Sequence, residues 1–253
     1  MNSFMQSYNA CSNLSNITKV TNDDTNTYMF FSTDMTHEPM LLSEPDYVPA
    51  VSVDNTEYDA AHTDRFTLDG RTLNISNEDQ MRHYHANMSA LMLIGDWLDY
   101  LRENDVYDNT RSISVADHGR RLSSLDELVL PTGRGSSYDV NAFYPLMLVK
   151  DFGATEFTTS NEFMTNADVP TLAFEGLIDN PVNPFTGKPI NNNEKTAHDQ
   201  YITRSTIWST SENNGNTFIE SPWASVSSDL WDKDNWKFFN ENIVLDEHAF
   251  PEK

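Results

Sequence analysis

The sequence predicts an α/β fold in which a sheet is covered by helices on both faces, as in an α/β/α sandwich. Two observations carry this prediction. A long run of apolar residues at helical spacing, residues 78–104, precedes a short β-branched segment, residues 111–116. A second strand-like segment follows at residues 143–150, and a helix start follows that at residues 162–172. Alternating strands and helices are typical of a sheet packed between helices.

The N-terminal third contains less regular structure. Residues 4–15 carry apolar side chains three and four apart, which predicts a short amphipathic helix. The aromatic run at residues 27–34 predicts a buried strand that ends just before His37. Residues 39–76 contain three prolines, acidic clusters and the turn-forming pair Asp69-Gly70, so we expect a long loop there.

The helix over residues 78–104 is the strongest secondary-structure signal in the chain, because eight apolar residues follow its period. His83 and His85 lie two apart on it and point to different faces, which predicts a surface or core role for each rather than a shared metal. The strand at residues 111–116 then runs directly into Asp117-His118-Gly119.

The C-terminal part predicts a β-rich extension. Residues 179–200 have loop composition, and alternating segments around residues 213–216 predict a hairpin. The tail contains Trp231 and Trp236, which we expect to pack on the main body. We therefore divide the chain into a main portion, residues 1–200, and an extension, residues 201–253.

Composition limits the possible functions. A formal net charge of −23 and a pI near 4.4 argue against binding to nucleic acid or to anionic lipid headgroups. The single cysteine, Cys11, excludes an internal disulfide and a thiolate cluster, so a metal would have oxygen and imidazole ligands. No apolar run of membrane-spanning length and no signal-peptide pattern is present, although several N-glycosylation sequons suggest an extracellular surface.

Asp117-His118-Gly119, at the expected carboxyl end of a strand, is the sharpest local signal for chemistry. Ligands gather where the strands of an open α/β sheet end, and adjacent Asp and His side chains offer a divalent cation an oxygen and an imidazole. The same tripeptide is also compatible with a plain turn, in which Asp117 caps the next segment and His118 is solvated.

The wider sequence resembles the alkaline phosphatase superfamily, and within it the branch of the sulfatases and lipoteichoic acid synthases. The resemblance covers about residues 20–190. It rests on five elements in the same order: Thr36-His37-Glu38-Pro39, the stretch from Asn87 to Gly119 ending in "DHG", Tyr144-Pro145-Leu146-Met147, residues 166–172 (NADVPTL), and residues 183–188 (NPFTGK).

The resemblance implies a metal-dependent transferase or hydrolase of phosphate or sulfate esters, with transfer of a phosphoglycerol-type group favoured. It implies that Asp117 and His118 bind one divalent metal (Mn, Zn, Mg or Ca) and that His37 contacts the anionic substrate. Arg120, where many relatives are acidic, would bind an anionic headgroup or be solvated. His37 is expected within about 8 Å of the metal ligands.

The resemblance also implies what lies outside these residues. The nucleophile and the first acidic metal ligand belong to the N-terminal half of such a catalytic domain, which would be the partner of this chain. The parent protein would act at the extracellular face of a bacterial-type membrane, to which it would be anchored. The alternative is a non-catalytic binding or structural module that retains the fold.

Overall fold

The computed structural model describes residues 3–133, 135–190, 192–203 and 223–239, and it is mixed α/β, with helices and small antiparallel sheets. The chain forms two compact units. Unit 1 consists of Met1–Ser112, Leu122–Asp126 and Lys150–Thr155, and unit 2 consists of Ile113–Arg121, Glu127–Val149 and Glu156–Lys253. The predicted boundary at residue 200 stays a prediction.

Unit 1 is mainly helical. Its helices are α1 (Ser3–Ser12), α2 (Leu14–Ile17), α3 (Thr56–Ala61) and α4 (Glu78–Glu103). Strands β1 (Thr67–Leu68) and β2 (Arg71–Thr72), each two residues long, form an antiparallel hairpin. Its turn is the predicted pair Asp69-Gly70, both with positive φ, a conformation that glycine adopts without a steric cost.

Helix α4 confirms the prediction for residues 78–104 and has clear end signals. The Asn77 side chain accepts from the Gln80 backbone, and the Gln80 side chain accepts from the Asn77 backbone, which makes a capping box. Acidic residues occupy the first turn and Arg102 the last, as the helix dipole favours. Ala86 and Ala90 of α4 belong to a buried apolar cluster. Its other members come from α1 and from residues 35–47: Phe4, Cys11, Met35, Leu42 and Tyr47.

The predicted buried strand at residues 27–34 is wrong. These residues form no strand, and Tyr28 and Phe30 are 76% and 78% exposed. An apolar run becomes a strand only when a neighbouring strand takes its backbone hydrogen bonds, and among the described residues none bonds to the backbone of residues 26–32. His37 accordingly lies in a 3₁₀ turn, Met35–His37, and not at the exit of a strand.

Unit 2 contains most of the strands. They are β3 (Ser112–Val115), β4 (Val129–Gly133), β5 (Ser136–Asp139), β6 (Met147–Lys150), β7 (Gln200–Thr203), β8 (Trp223–Val226) and β9 (Trp236–Phe239). β3 pairs with β6, β4 with β5, and β7, β8 and β9 form an antiparallel three-stranded sheet. The helices are α5 (Val169–Phe174) and α6 (Asn192–Ala197).

Several predicted elements of unit 2 begin later than expected. The strand predicted from residue 143 starts at Met147, because a 3₁₀ turn, Val140–Phe143, precedes it. The helix predicted from residue 162 starts with a 3₁₀ turn, Asn166–Asp168, and continues as α5. The tip of the predicted hairpin lies outside the described residues, but its flanking strands β7 and β8 pair as antiparallel neighbours.

The two tail tryptophans pack within unit 2, as predicted. The Trp231 ring lies edge-on to Tyr144, with centroids 5.4 Å apart. Trp236 is buried, and its ring centroid lies 6.4 Å from that of Phe143. Aromatic pairs at these separations add to the apolar area that the strands bury.

Candidate functional site

The loop of residues 116–120, which follows β3, is fixed to its neighbours by backbone hydrogen bonds. Ala116 N–H donates to Leu146 O at 3.0 Å, and Gly119 N–H donates to Ala142 O at 3.0 Å. A Cβ atom on Gly119 would lie 1.8 Å from the Asn141 carbonyl oxygen. Glycine is therefore required here for the close approach of two backbones, and not for a positive φ.

Two asparagine side chains complete the attachment of this loop. The Asn166 amide donates to the carbonyls of both Ala116 and Asp117, each at 3.0 Å. The Asn141 amide donates to the Arg120 carbonyl at 3.1 Å. The backbone that carries Asp117 and His118 is thus held on both sides, which preorganises the two side chains.

The Asp117 and His118 side chains are exposed, and one polar atom of each lies close to the other. His118 Nδ1 lies 2.7 Å from the Gly119 carbonyl oxygen; because a carbonyl can only accept, Nδ1 carries the hydrogen. In the neutral ring Nε2 then holds a lone pair, and it lies 3.7 Å from Asp117 Oδ2. Asp117 Oδ1 accepts from the His118 backbone N–H at 3.0 Å, which orients the carboxylate.

This arrangement fits a divalent cation. Two lone-pair atoms that face each other repel unless a proton or a metal ion lies between them, and a histidine that ligates through Nε2 commonly donates its Nδ1–H to a carbonyl. Oxygen and nitrogen ligands lie about 2.1 Å from metals such as zinc, so two of them bound to one ion lie at most about 4.2 Å apart. The observed 3.7 Å satisfies that limit.

Replacing Gly119 by alanine is expected to displace this loop and to lower the free energy of unfolding of unit 2 by about 1–3 kcal/mol, as overpacking does. Chemical denaturation followed by amide exchange in β8 and β9 measures it. The control is Gly95→Ala, followed by amide exchange in α4 because that helix belongs to unit 1. Nothing lies within 4 Å of the new Cβ, so stability should not fall. Equal stability of the Gly119→Ala and unchanged proteins would contradict the close backbone approach.

The other two predicted site residues are exposed as well. His37 belongs to unit 1, with Nδ1 3.7 Å from Glu38 Oε1. Arg120 belongs to unit 2 and presents its side chain to solvent, while its carbonyl helps to hold the loop. The predicted proximity of His37 to the metal ligands stays a prediction.

Asp168 supports the site from below the surface, a role that was not predicted from sequence. Its side chain is 1% exposed and accepts hydrogen bonds from Thr165, Asn183 and Lys195, the last at 2.7 Å. Burial raises the pKa of Asp168, but these hydrogen bonds and the Lys195 charge outweigh burial, so the pKa lies below its usual range. The Thr165–Asp168 capping box begins the turn that carries Asn166 to the loop.

Among the described residues, no group of three or more His, Cys, Asp or Glu side chains is arranged to hold a metal ion. No helix in the described part of the chain has the length and apolar character needed to cross a membrane. Comparison of the chain with protein families, curated proteins and solved structures finds no match.

Proposed function

We propose that this chain forms part of the catalytic domain of a metal-dependent enzyme that transfers or hydrolyses phosphate or sulfate esters. The observation that carries the proposal is the facing pair of ligand atoms in Asp117 and His118, on a loop fixed at both ends. On this proposal the strands of unit 2 belong to an α/β/α sandwich of the alkaline phosphatase type. The favoured reaction is transfer of a phosphoglycerol-type group, and the favoured location is the extracellular face of a bacterial-type membrane.

The residues of this chain have distinct tasks in the proposed reaction. Asp117 and His118 would supply two ligands to one divalent ion, which when bound lowers the pKa of a nucleophile and polarises the transferring group. Gly119 and Asn166 hold these ligands in place through the backbone. His37 would donate a hydrogen bond to an oxygen of the substrate's anionic group.

The proposed partner is the N-terminal half of the same kind of catalytic domain, which would supply the nucleophile and further metal ligands. The exposed aromatic run from Tyr28 to Phe31 supports it. Exposed apolar side chains that follow one another are typical of a surface that another domain covers. Contact with the N-terminal half would bury these rings.

The proposal is tested by titrating the chain with Mn²⁺ and following the amide signals by NMR. Paramagnetic broadening is expected in residues 116–120, with a dissociation constant weaker than about 1 µM because only two ligands are present. Asp117→Ala should abolish the broadening. Asp79→Ala is the matched control, since Asp79 also lies 3.7 Å from a histidine, but that residue, His83, is buried.

Two outcomes would overturn the assignment. Broadening that appears elsewhere in the chain, or that persists in Asp117→Ala, would remove the metal site from this loop. Hydrolysis of p-nitrophenyl phosphate or sulfate by the chain alone would show that a complete active centre lies in other residues. If no metal binds at all, the alternative of a non-catalytic binding or structural module is favoured, consistent with the absence of a third ligand among the described residues.

A further inference from the structure

Residues 21–34 of unit 1, here called the aromatic loop, are exposed along their whole length. Four large apolar side chains follow one another in it: Tyr28, Met29, Phe30 and Phe31 are 76%, 50%, 78% and 37% exposed. Single exposed apolar residues are ordinary in a folded protein, but a contiguous group marks an interaction surface. Rings so open to solvent border no pocket that would enclose a small molecule, so the ligand is another macromolecule.

Both ends of the aromatic loop are fixed to the rest of unit 1. Thr18, just before the loop, accepts two hydrogen bonds from α4: its hydroxyl from Trp97 Nε1 at 2.9 Å and its carbonyl from Tyr100 Oη at 3.0 Å. At the other end, Thr33 Oγ1 accepts from the Met35 N–H at 3.2 Å, and Met35 is fully buried. Fixed ends reduce the conformational entropy that a loop loses on binding, which favours a docking role.

The charge around the rings selects the chemistry of the partner. Residues 20–64 contain ten Asp and Glu residues and no Lys or Arg. Asp23 and Asp24 precede the rings and Asp34 follows them, all three are exposed, and no Lys or Arg side chain in the described part of the chain pairs with them. An interface that buries the rings also approaches these carboxylates, so positive charge on the partner is attracted and negative charge is repelled.

The same charges argue against other occupants. A second copy of the chain would place carboxylates against carboxylates across a two-fold interface. Nucleic acids and anionic lipids carry charge of the same sign as the loop. Arginine, in contrast, pairs with carboxylates, stacks on aromatic rings and is enriched at protein interfaces, where lysine is depleted.

We propose that the aromatic loop docks on a polypeptide surface in which arginine side chains surround an apolar groove. Tyr28 and Phe30, the two most exposed rings, would enter the groove, and the arginines would pair with Asp23, Asp24 and Asp34. The chemistry of this surface follows from the loop itself. Its assignment to the N-terminal half of the catalytic domain rests on the proposed function.

The test titrates the full ¹⁵N-labelled chain with a short blocked peptide of alternating arginine and leucine. The amide signals of residues 21–34 are expected to shift, with a dissociation constant of about 0.1–1 mM in about 50 mM salt. A peptide of alternating glutamate and leucine should cause no shift. A peptide of alternating arginine and serine should bind at least about tenfold more weakly, because it buries no apolar area.

A matched pair of variants tests the apolar part of the surface. Phe30→Ser should weaken binding of the arginine–leucine peptide by more than about tenfold, since it removes one ring from the interface. The control is Phe157→Ser, because Phe157 is 85% exposed but belongs to unit 2. That variant should bind the peptide as the unchanged chain does.

A second pair tests the charges. Asp24→Asn combined with Asp34→Asn should weaken binding about three- to tenfold, because two attractive charges are lost. The control, Glu156→Gln combined with Glu162→Gln, removes the same number of charges from exposed positions in unit 2 and should leave binding unchanged.

Three outcomes would overturn the proposal: shifts spread equally over other acidic segments, binding that survives Phe30→Ser, or binding of the glutamate–leucine peptide as strong as that of the arginine–leucine peptide. Concentration-dependent shifts of residues 21–34 in the chain alone would also overturn it, because a second copy would then cover the loop. The manganese titration reports on residues 116–120 and so fails or succeeds separately. If the peptide binds as expected but no metal does, the docking surface stands and its assignment to the N-terminal half fails.

Discussion

Replacing Asp168 by alanine is expected to lower the free energy of unfolding of unit 2 by about 3–5 kcal/mol, a range typical of breaking a buried ion pair. The substitution leaves the Lys195 ammonium, which is 17% exposed, without its carboxylate at 2.7 Å. It also removes the acceptor that begins the turn at Thr165 and the partner of the buried Asn183 amide. Denaturation followed by amide exchange in β8 and β9 measures the loss.

Two comparisons separate the ion pair from other effects. The double substitution of Asp168→Asn with Lys195→Met should recover part of the loss, because it removes both charges together. Lys237→Ala breaks the pair of Lys237 with Asp199, in which the lysine is 59% exposed, and should cost far less stability than Asp168→Ala. Equal losses in Asp168→Ala and Lys237→Ala would show that Asp168 is not buried as described.

Local sequence signals were sufficient for the elements whose stability is largely local. Helix α4 ends within one residue of the prediction, because periodicity, an Asn77 cap and a basic last turn all indicate the same bounds. Strand β3 was likewise recovered from four β-branched and small residues between turns. In these cases each residue's preference agrees with its position in the fold.

Elements that depend on distant partners could not be predicted in the same way. The run at residues 27–34 has strand composition, but a strand requires a neighbour, and composition does not specify one. The hydrogen bonds from Asn166 join residues 49 and 50 positions apart in sequence, so no local pattern predicts them. Spacing indicated that His83 and His85 do not share a metal, but it did not indicate the contact of His85 with Glu44.

In the candidate site, too, some residues have a local sequence signal and others depend on distant contacts. Asp117 and His118 were predicted as metal ligands from their place after a strand and from the family resemblance. The tautomer of His118, the backbone contact of Gly119 with Asn141 and the buried anchor at Asp168 depend on three-dimensional geometry. The candidate metal ligands therefore stay a prediction from sequence, whereas the residues that position their loop depend on contacts that the sequence does not show.

The stability of unit 1 is expected to fall by about 2 kcal/mol between pH 7 and pH 5 because of His85. Burial, and then the nearby Arg65 charge, lowers the pKa of His85 to about 4, against about 6.5 for histidine in an unfolded chain. Between these values the unfolded chain takes up a proton that the folded chain excludes. Acid therefore favours unfolding throughout this pH range.

Glu44 acts in the opposite direction at the lower end of the range. Burial raises the pKa of Glu44 in spite of Arg65 and Tyr47, so as the pH falls the folded chain binds a proton at Glu44 before the unfolded chain does. This proton offsets part of the loss of stability as the pH approaches 5.

Amide exchange in α4, measured from pH 7 to pH 5, follows unit 1 alone. His85→Gln should flatten the dependence, since glutamine does not titrate. If His85→Gln still loses about 2 kcal/mol of stability between pH 7 and pH 5, another group causes the loss. If neither protein shows a pH dependence, His85 is accessible to protons in the folded state.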